Sequence, residues 1–281
     1  MAGNDDMVTL WNSEAAAAWA TRFERYDAML GALGERTLEA AALLPGERVL
    51  DVGCGAGQLT LQAAAVVGST GSVLGVDIAA DLVAVAGRRA TDAGLCQVEV
   101  LQTDAQGHRF TPHVFDAVIS RFGVMFFDDP VAAFTNLREA TVPGGRLAFV
   151  CWQPAPQNEW FTVPLVAVAA HIDVPAPPPP GSAGPFAFGD GDRVRAILSS
   201  AGWTDVGLEA VQTTVSPGGA RTPAEAVSFI TDDTFGRNVL VTASPEARGV
   251  ALSALEAAYA AHAGPDGIRL NVAVWVVTAR A

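Results

Sequence analysis

Lysine does not occur in this 281-residue sequence; its basic complement is 17 arginines, set against 30 aspartates and glutamates. Without lysine there is no Schiff-base chemistry and no amine nucleophile. The net charge is −13 and the pI about 4.6. Such an acidic chain repels phosphate backbones and anionic bilayers, so neither nucleic acid nor a membrane is expected as a partner. Cysteine is scarce as well. Cys54, Cys96 and Cys151 stand far apart, with no CxxC pair and no Cys/His spacing, which leaves no basis for a disulfide or a metal site. No run approaches the ~18 consecutive apolar residues that span a bilayer. The opening stretch MAGNDDMVTLWNSE lacks the apolar segment of a signal peptide. These absences fit a cytoplasmic globular protein with reduced thiols, and a homodimer is compatible with them.

Half of the residues are hydrophobic and 17% are charged, enough apolar material for one well-buried core. Asn12 or Ser13 can cap a helix through EAAAAWATRFERYDAMLGAL, and a second helix follows through Leu43 to Pro45-Gly46. Short β-branched runs then alternate with helical stretches. Strands are expected at 48–52, 72–77, 98–103, 115–120 and 146–152, with helices near 58–67, 80–93 and 130–141. A further helix near 190–201, a strand at 205–215 and a terminal strand complete the pattern. It describes a doubly wound, Rossmann-like α/β fold, with seven strands, mostly parallel, and an antiparallel terminal hairpin. Residues 1–45 are expected to form a helical lid, 46–152 an α/β core and 153–189 a substrate cap. Residues 190–281 complete the core, with a second helical insertion at about 216–267. The 153–189 segment is rich in proline, including the run at 177–180, yet keeps Trp160, Phe161, Phe186 and Phe188. It therefore reads as an ordered cap rather than a linker.

Chemistry concentrates in VLDVGCGAGQ, residues 49–58. Its glycines, Gly53, Gly55 and Gly57, are spaced G-x-G-x-G. A dinucleotide loop requires G-x-G-x-x-G, but Gln58 occupies the third position counted from Gly53, and Thr60 that counted from Gly55. Asp51, just ahead, would repel a pyrophosphate but suits a ligand carrying an ammonium group. The stretch resembles the first signature of the class I S-adenosylmethionine (SAM)-dependent methyltransferases. VLGVDIA, VLQTDAQ, FDAVISRFGVMFFDDP and LREATVPGGRLAFVCW follow in the order that family shows. More loosely, the rest resembles methyltransferases of the ubiquinone/menaquinone-biosynthesis-like and natural-product type.

The resemblance implies SAM as cofactor, held at Asp51, Gly53, Cys54, Gly55, Gly57 and Gln58. It implies Asp77, with Ile78, at the ribose hydroxyls and Asp104, with Ala105, at the adenine. Ser120 and Arg121 would lie beside the methyl-bearing end, and Trp19 and Tyr26, with Trp11, would close over the cofactor. Arg121 could hold a carboxylate, or instead pair with Asp128, Asp129 or a cap residue. Phe122, Met125, Trp152 and Trp160 would wall an acceptor site suited to a small aromatic or lipophilic molecule. His171, in the cap, is the best-placed candidate for a general base. The expected reaction is methyl transfer, O-directed more than N- or C-directed, driven by proximity and orientation. The alternatives are a SAM-binding enzyme of the same fold that performs non-methyl chemistry such as cyclisation, a non-catalytic binding module, and a protein or RNA methyltransferase.

Overall fold

A computed structural model describes residues 4–176, 178–179, 181–232, 236, 239–240 and 243–281. Pro177 and Pro180 of the proline run, and part of the 216–267 insertion, lie outside the described residues. The chain opens with three helices, α1 (Asp5–Trp11), α2 (Glu14–Thr21) and α3 (Phe23–Ala41). The alternating core follows as β1 (Arg48–Val52), α4 (Gln58–Val67), β2 (Ser72–Asp77), α5 (Ala80–Asp92), β3 (Val98–Gln102), β4 (Phe115–Arg121), α6 (Pro130–Ala140) and β5 (Thr141–Trp152). Then come α7 (Glu159–Ala169), α8 (Gly191–Ser200), β6 (Thr204–Val215), α9 (Pro223–Thr231), α10 (Pro245–Ala260) and β9 (Leu270–Arg280). Two short strands, β7 (Ala263–Gly264) and β8 (Gly267–Ile268), pair with each other just before β9.

Seven strands form one sheet in the order β3-β2-β1-β4-β5-β9-β6. The strands from β3 through β5 pair in parallel. β9 is antiparallel to both neighbours, inserted between β5 and β6. The last two strands of the main sheet therefore do pair antiparallel, but it is β6 that forms the edge. Strand alternation divides the core. Val49, Ala117, Ile119 and Ala148 pack on one face with Leu59, Ala63 and Val67 of α4. Leu50, Val118, Leu147 and Phe149 pack on the other with residues of α3, α6, α8 and α10. This is the two-sided burial that a mainly parallel sheet requires.

The N-terminal helices depart from the expected pattern. Asn12 bonds across to the core: its amide donates to the Ile78 carbonyl (2.9 Å) and its oxygen accepts from the Ala80 N–H (3.1 Å), which ties the lid to the loop after β2. The helix breaks at Arg22, then runs unbroken through Gly31 and Gly34. Both glycines let α3 approach the core closely. A Cβ at Gly31 would sit 3.3 Å from the Gln58 amide, and one at Gly34 would sit 3.4 Å from Arg121 Cδ. Among the described residues no helix is long and apolar enough to cross a membrane.

Candidate functional site

Strand order reverses between β1 and β4, and ligands of open α/β sheets bind outside the carboxyl ends of the strands at such a point. A cavity opens there, lined by the ends of β1 and β2, the residues following β3, Arg121 at the end of β4, and Phe122, Gly123 and Met125 to Phe127 after it. The N-terminal helices and residues from both insertions close it.

The glycine loop forms its base. Gly53 adopts φ +69°, and a Cβ there would lie 2.6 Å from Gly123 Cα, so only glycine lets the loops after β1 and β4 touch. Gly55, at φ +54°, also lines the cavity, and a Cβ on it would meet no protein atom within 4 Å. The Gly53 and Cys54 N–H groups donate to the Val76 carbonyl, fixing the loop beside β2.

Three carboxylates surround this loop. Asp51, 1% exposed, accepts from the Thr60 hydroxyl (2.6 Å) through Oδ2, while its Oδ1 has no hydrogen-bond partner among the described residues. Burial raises its pKa to about 7, against the opposing pull of the Thr60 hydrogen bond and of Arg121. Asp77 accepts from the Gly55 N–H (2.8 Å) and the Ala79 N–H (2.9 Å). Burial raises its pKa as well, and these backbone donors moderate the shift. Asp104 accepts from the Gln106 N–H (3.0 Å).

Arg121 lines the cavity, but its partner is neither Asp128 nor Asp129. It donates to Gln58 Oε1 and lies 3.8 Å from Asp27 of α3. Burial lowers its pKa, and Asp27 and Asp51 oppose that shift. Asp27 also accepts from Arg89 (2.8 Å), which donates in turn to the Ala56 carbonyl of the glycine loop (2.7 Å). One aspartate thus pins the lid helix to both the loop and β4. Sequence reasoning stopped at Tyr26 in RYD and missed its neighbour. It also missed Asn4, 5% exposed and lining the cavity, whose Oδ1 is unpartnered among the described residues.

Trp19 stacks on Tyr26 at 3.6 Å between ring centroids, Trp11 packs edge-on against Trp19 and Phe126, and all four rings line the cavity. Cys54, Ile78, Ala105, Phe122, Met125, Trp152 and Trp160 line it too. Phe229 and Tyr259, from the second insertion, join them without having been signalled by any motif.

Four expected site residues lie elsewhere. Gly57 packs against Ala86, where a Cβ would come within 2.9 Å. Gln58 is engaged by Arg121 and by the Asp27 carbonyl, and Ser120 is buried, donating to the Val52 carbonyl (2.7 Å). These three support the cavity from behind. His171 is exposed just past the end of α7 and is not among the described residues that line the cavity. Sequence order places it in the cap but does not fix what its side chain faces.

The donor set fits SAM. An unsatisfied, buried carboxylate oxygen calls for a cationic or hydrogen-bonding partner, and the open space over Gly55 leaves room for a backbone-hugging ligand. Residues 49–145 match the Methyltransf_25 family, described as a methyltransferase domain. The chain is 38% identical over 117 residues to aklanonic acid methyltransferase DauC of Streptomyces sp. strain C5, covering 42% of this chain and 53% of that protein. It is 31% identical over 183 residues to nocamycin O-methyltransferase of Saccharothrix syringae, covering 62% of this chain and 65% of the relative. The matches thus span about half to two thirds of these curated relatives. In fold it is similar to phosphoethanolamine N-methyltransferase 2 of Haemonchus contortus in complex with SAM, with a TM-score of 0.57 at 19% identity, covering 98% of this chain and 60% of that one. Domain match, ordered motifs and strand order agree: residues 49–145 are a methyltransferase domain of the Methyltransf_25 family, set in a Rossmann-like sheet.

Proposed function

We propose that this protein transfers the methyl group of SAM to a small, flat aromatic or lipophilic acceptor, with oxygen the favoured target. The observation that carries the reading is the continuity of one cavity, which runs from the carboxylates around the glycine loop to a wall of aromatic side chains. Asp51 Oδ1 would receive the ammonium group of the methionine moiety, Asp77 the ribose hydroxyls and Asp104 the adenine amino group. Arg121 would hold the methionine carboxylate, sharing its charge with Asp27. Trp19 and Tyr26 would cover the cofactor from the lid. Residues 1–45, 46–152, 153–189 and 190–281 would serve as lid, cofactor core, acceptor cap and core completion, with the second insertion also closing the acceptor side.

Bound SAM supplies an electrophilic methyl on a sulfonium that already carries its leaving group, so transfer is an in-line displacement. Among the described residues no histidine lines the cavity, and the side chains there would act by alignment and exclusion of water. The O-directed preference is supported by the name of the nocamycin relative. The test is formation of S-adenosylhomocysteine across a panel of phenolic and polyketide-like acceptors, with product masses. Products heavier by one methyl support the reading. Unmethylated, rearranged products would favour cyclisation chemistry on the same fold, and absence of SAM binding would refute both.

A further inference from the structure

The lid helix is joined both to the core and to the second insertion. Arg25, Tyr26 and Asp27 are consecutive in α3, and at 3.6 residues per turn they face three different neighbours. Asp27 holds Arg89 and lies beside Arg121 on the core side. Tyr26 is buried and lines the cavity. Arg25 reaches the insertion. Its Nε donates to the Gly218 carbonyl (3.1 Å) and its Nη2 to the Glu225 carbonyl (2.9 Å), and its guanidinium lies 4.9 Å from the centre of the Phe229 ring.

These contacts depend on a shaped seat. The turn Pro217–Gly219 lies so close to α3 that a Cβ at Gly218, φ +57°, would overlap Phe229 and come within 2.8 Å of Arg25 Nε. The Glu225 carboxylate is taken up by the N–H groups of Arg221 (2.7 Å) and Thr222 (3.2 Å) at the start of α9, so the hydrogen bonds of Arg25 go to carbonyls. A planar guanidinium bonded in this way reads the shape of the turn and of α9, and its grip is lost if either moves. Phe229 completes the link. Its ring touches Tyr26 (5.0 Å between centroids) and lines the cavity, as do Pro217 and Ile230 of the same segment. A ligand that fixes Tyr26 therefore also fixes the helix from which Arg25 holds Pro217–Thr231, and a packed, rigid element of this kind carries coupling between two parts of a site.

We infer that Arg25 is a positioning residue: it clamps the Pro217–Thr231 segment onto the lid helix, so that occupying the cofactor site sets the wall that Pro217, Phe229 and Ile230 contribute to the cavity, which rests on the place proposed above for Tyr26 over the cofactor. The cavity is then finished only once the cofactor is in place, and a molecule that needs this wall follows the cofactor into the protein.

The experiment follows hydrogen–deuterium exchange of the full chain with and without saturating S-adenosylhomocysteine. In wild type the ligand is expected to slow exchange in the glycine loop, 53–58, and to slow it about fivefold or more in 223–231, the lower end of an ordinary coupling between sites. In Arg25→Ala the slowing in 223–231 is expected to vanish, while that in the glycine loop persists and reports an intact cofactor site. An arginine that merely supported α9 would leave exchange there faster in both states of the variant, with the effect of the ligand retained. Arg22→Ala, which removes a partly exposed ion pair with Asp232 (2.7 Å), is expected to keep the coupling, since such pairs contribute little. Protection of the glycine loop without protection of 223–231 in wild type, a comparison that needs no variant, would overturn the inference. So would protection of 223–231 that survives in Arg25→Ala, or its equal loss in Arg22→Ala. No protection of the glycine loop in wild type would refute the proposed cofactor site and the inference with it, so the two failures are distinguishable.

Discussion

With Asp51 at the ammonium group of SAM, as proposed, SAM binding is expected to depend on pH in a way that follows from the surroundings of this carboxylate. Its carboxylate is 1% exposed, half satisfied by Thr60, and burial holds its pKa at about 7. A ligand ammonium selects the ionised form. Below pH 7 the protein must therefore release a proton to bind, and the dissociation constant rises tenfold per pH unit. The expected weakening relative to the plateau is about twofold at pH 7, about tenfold at pH 6 and about a hundredfold at pH 5, the last equivalent to roughly 2.7 kcal/mol. Affinity falls again above about pH 8, where the ligand's own α-amino group loses its proton. Calorimetric titration with SAM in buffers of different ionisation enthalpy measures both the affinity and the proton released.

Asp51→Asn separates the two limbs. It should abolish the acid limb, keep the alkaline one and bind SAM roughly 10–100-fold more weakly at pH 7.5, the scale of a lost charged hydrogen bond. The same carboxylate acts on the ligand-free protein in the opposite direction. A folded pKa of about 7 lies above the unfolded value of about 4. Stability from this group is therefore complete below pH 4 and is lost as pH rises through 7, by up to about 4 kcal/mol. The Asp51→Asn variant should make the ligand-free protein more resistant to urea at pH 8 while weakening its grip on SAM. An affinity flat from pH 5 to 7.5, with no proton released, would show that Asp51 is ionised before the ligand arrives and would refute the argument.

Three further outcomes are expected. Asp77→Ala should weaken SAM binding by roughly 1–3 kcal/mol, because a carboxylate anchored by the Gly55 and Ala79 N–H groups would be lost from the cavity; an unchanged dissociation constant removes Asp77 from the site. Gly53→Ala should destabilise the fold by about 2–4 kcal/mol in urea unfolding, since the new Cβ combines a left-handed backbone with a 2.6 Å approach to Gly123; wild-type stability would mean that the loops part freely. His171→Ala should leave kcat/KM within about twofold of wild type from pH 6 to 9, and a loss of turnover would put an imidazole back into the mechanism.

The parts of this protein that were legible in its sequence are those fixed by local periodicity and by short spacing. The β-branched runs of β1 to β5 alternate between the two faces of the sheet, so their positions follow from the chain itself. The glycine loop and Asp77 lie within 25 residues of one another and share one turn of the fold. What escaped depends on contacts between distant segments. Gly34 falls at the expected junction between two helices, but α3 continues through it, and glycine there and at Gly31 lets the helix lie close on Arg121 and Gln58. Asp27 has no motif of its own, and its role follows from meeting Arg89 and Arg121, each more than 60 residues away. β9 inserts between β5 and β6 because its residues from Val272 to Val277 are almost wholly buried, and a central position covers both faces of such a strand as an edge position would not.

The separation of charge within the cavity follows from the same architecture. The carboxylates from β1, β2 and β3 are anchored by neighbouring donors: the Thr60 hydroxyl for Asp51, the Gly55 and Ala79 N–H groups for Asp77, the Gln106 N–H for Asp104. These donors belong to the parallel core, which must therefore be intact for charge to be tolerated in so buried a place. The aromatic side of the cavity is drawn from β5, α7, α9 and α10, most of it in segments outside the alternating core. An aromatic lining is what such segments can bury at least cost, and it can change in shape without disturbing the glycine loop. The charged and the aromatic parts of the cavity thus sit on different parts of the chain, joined at Arg121 and Phe122, where β4 ends.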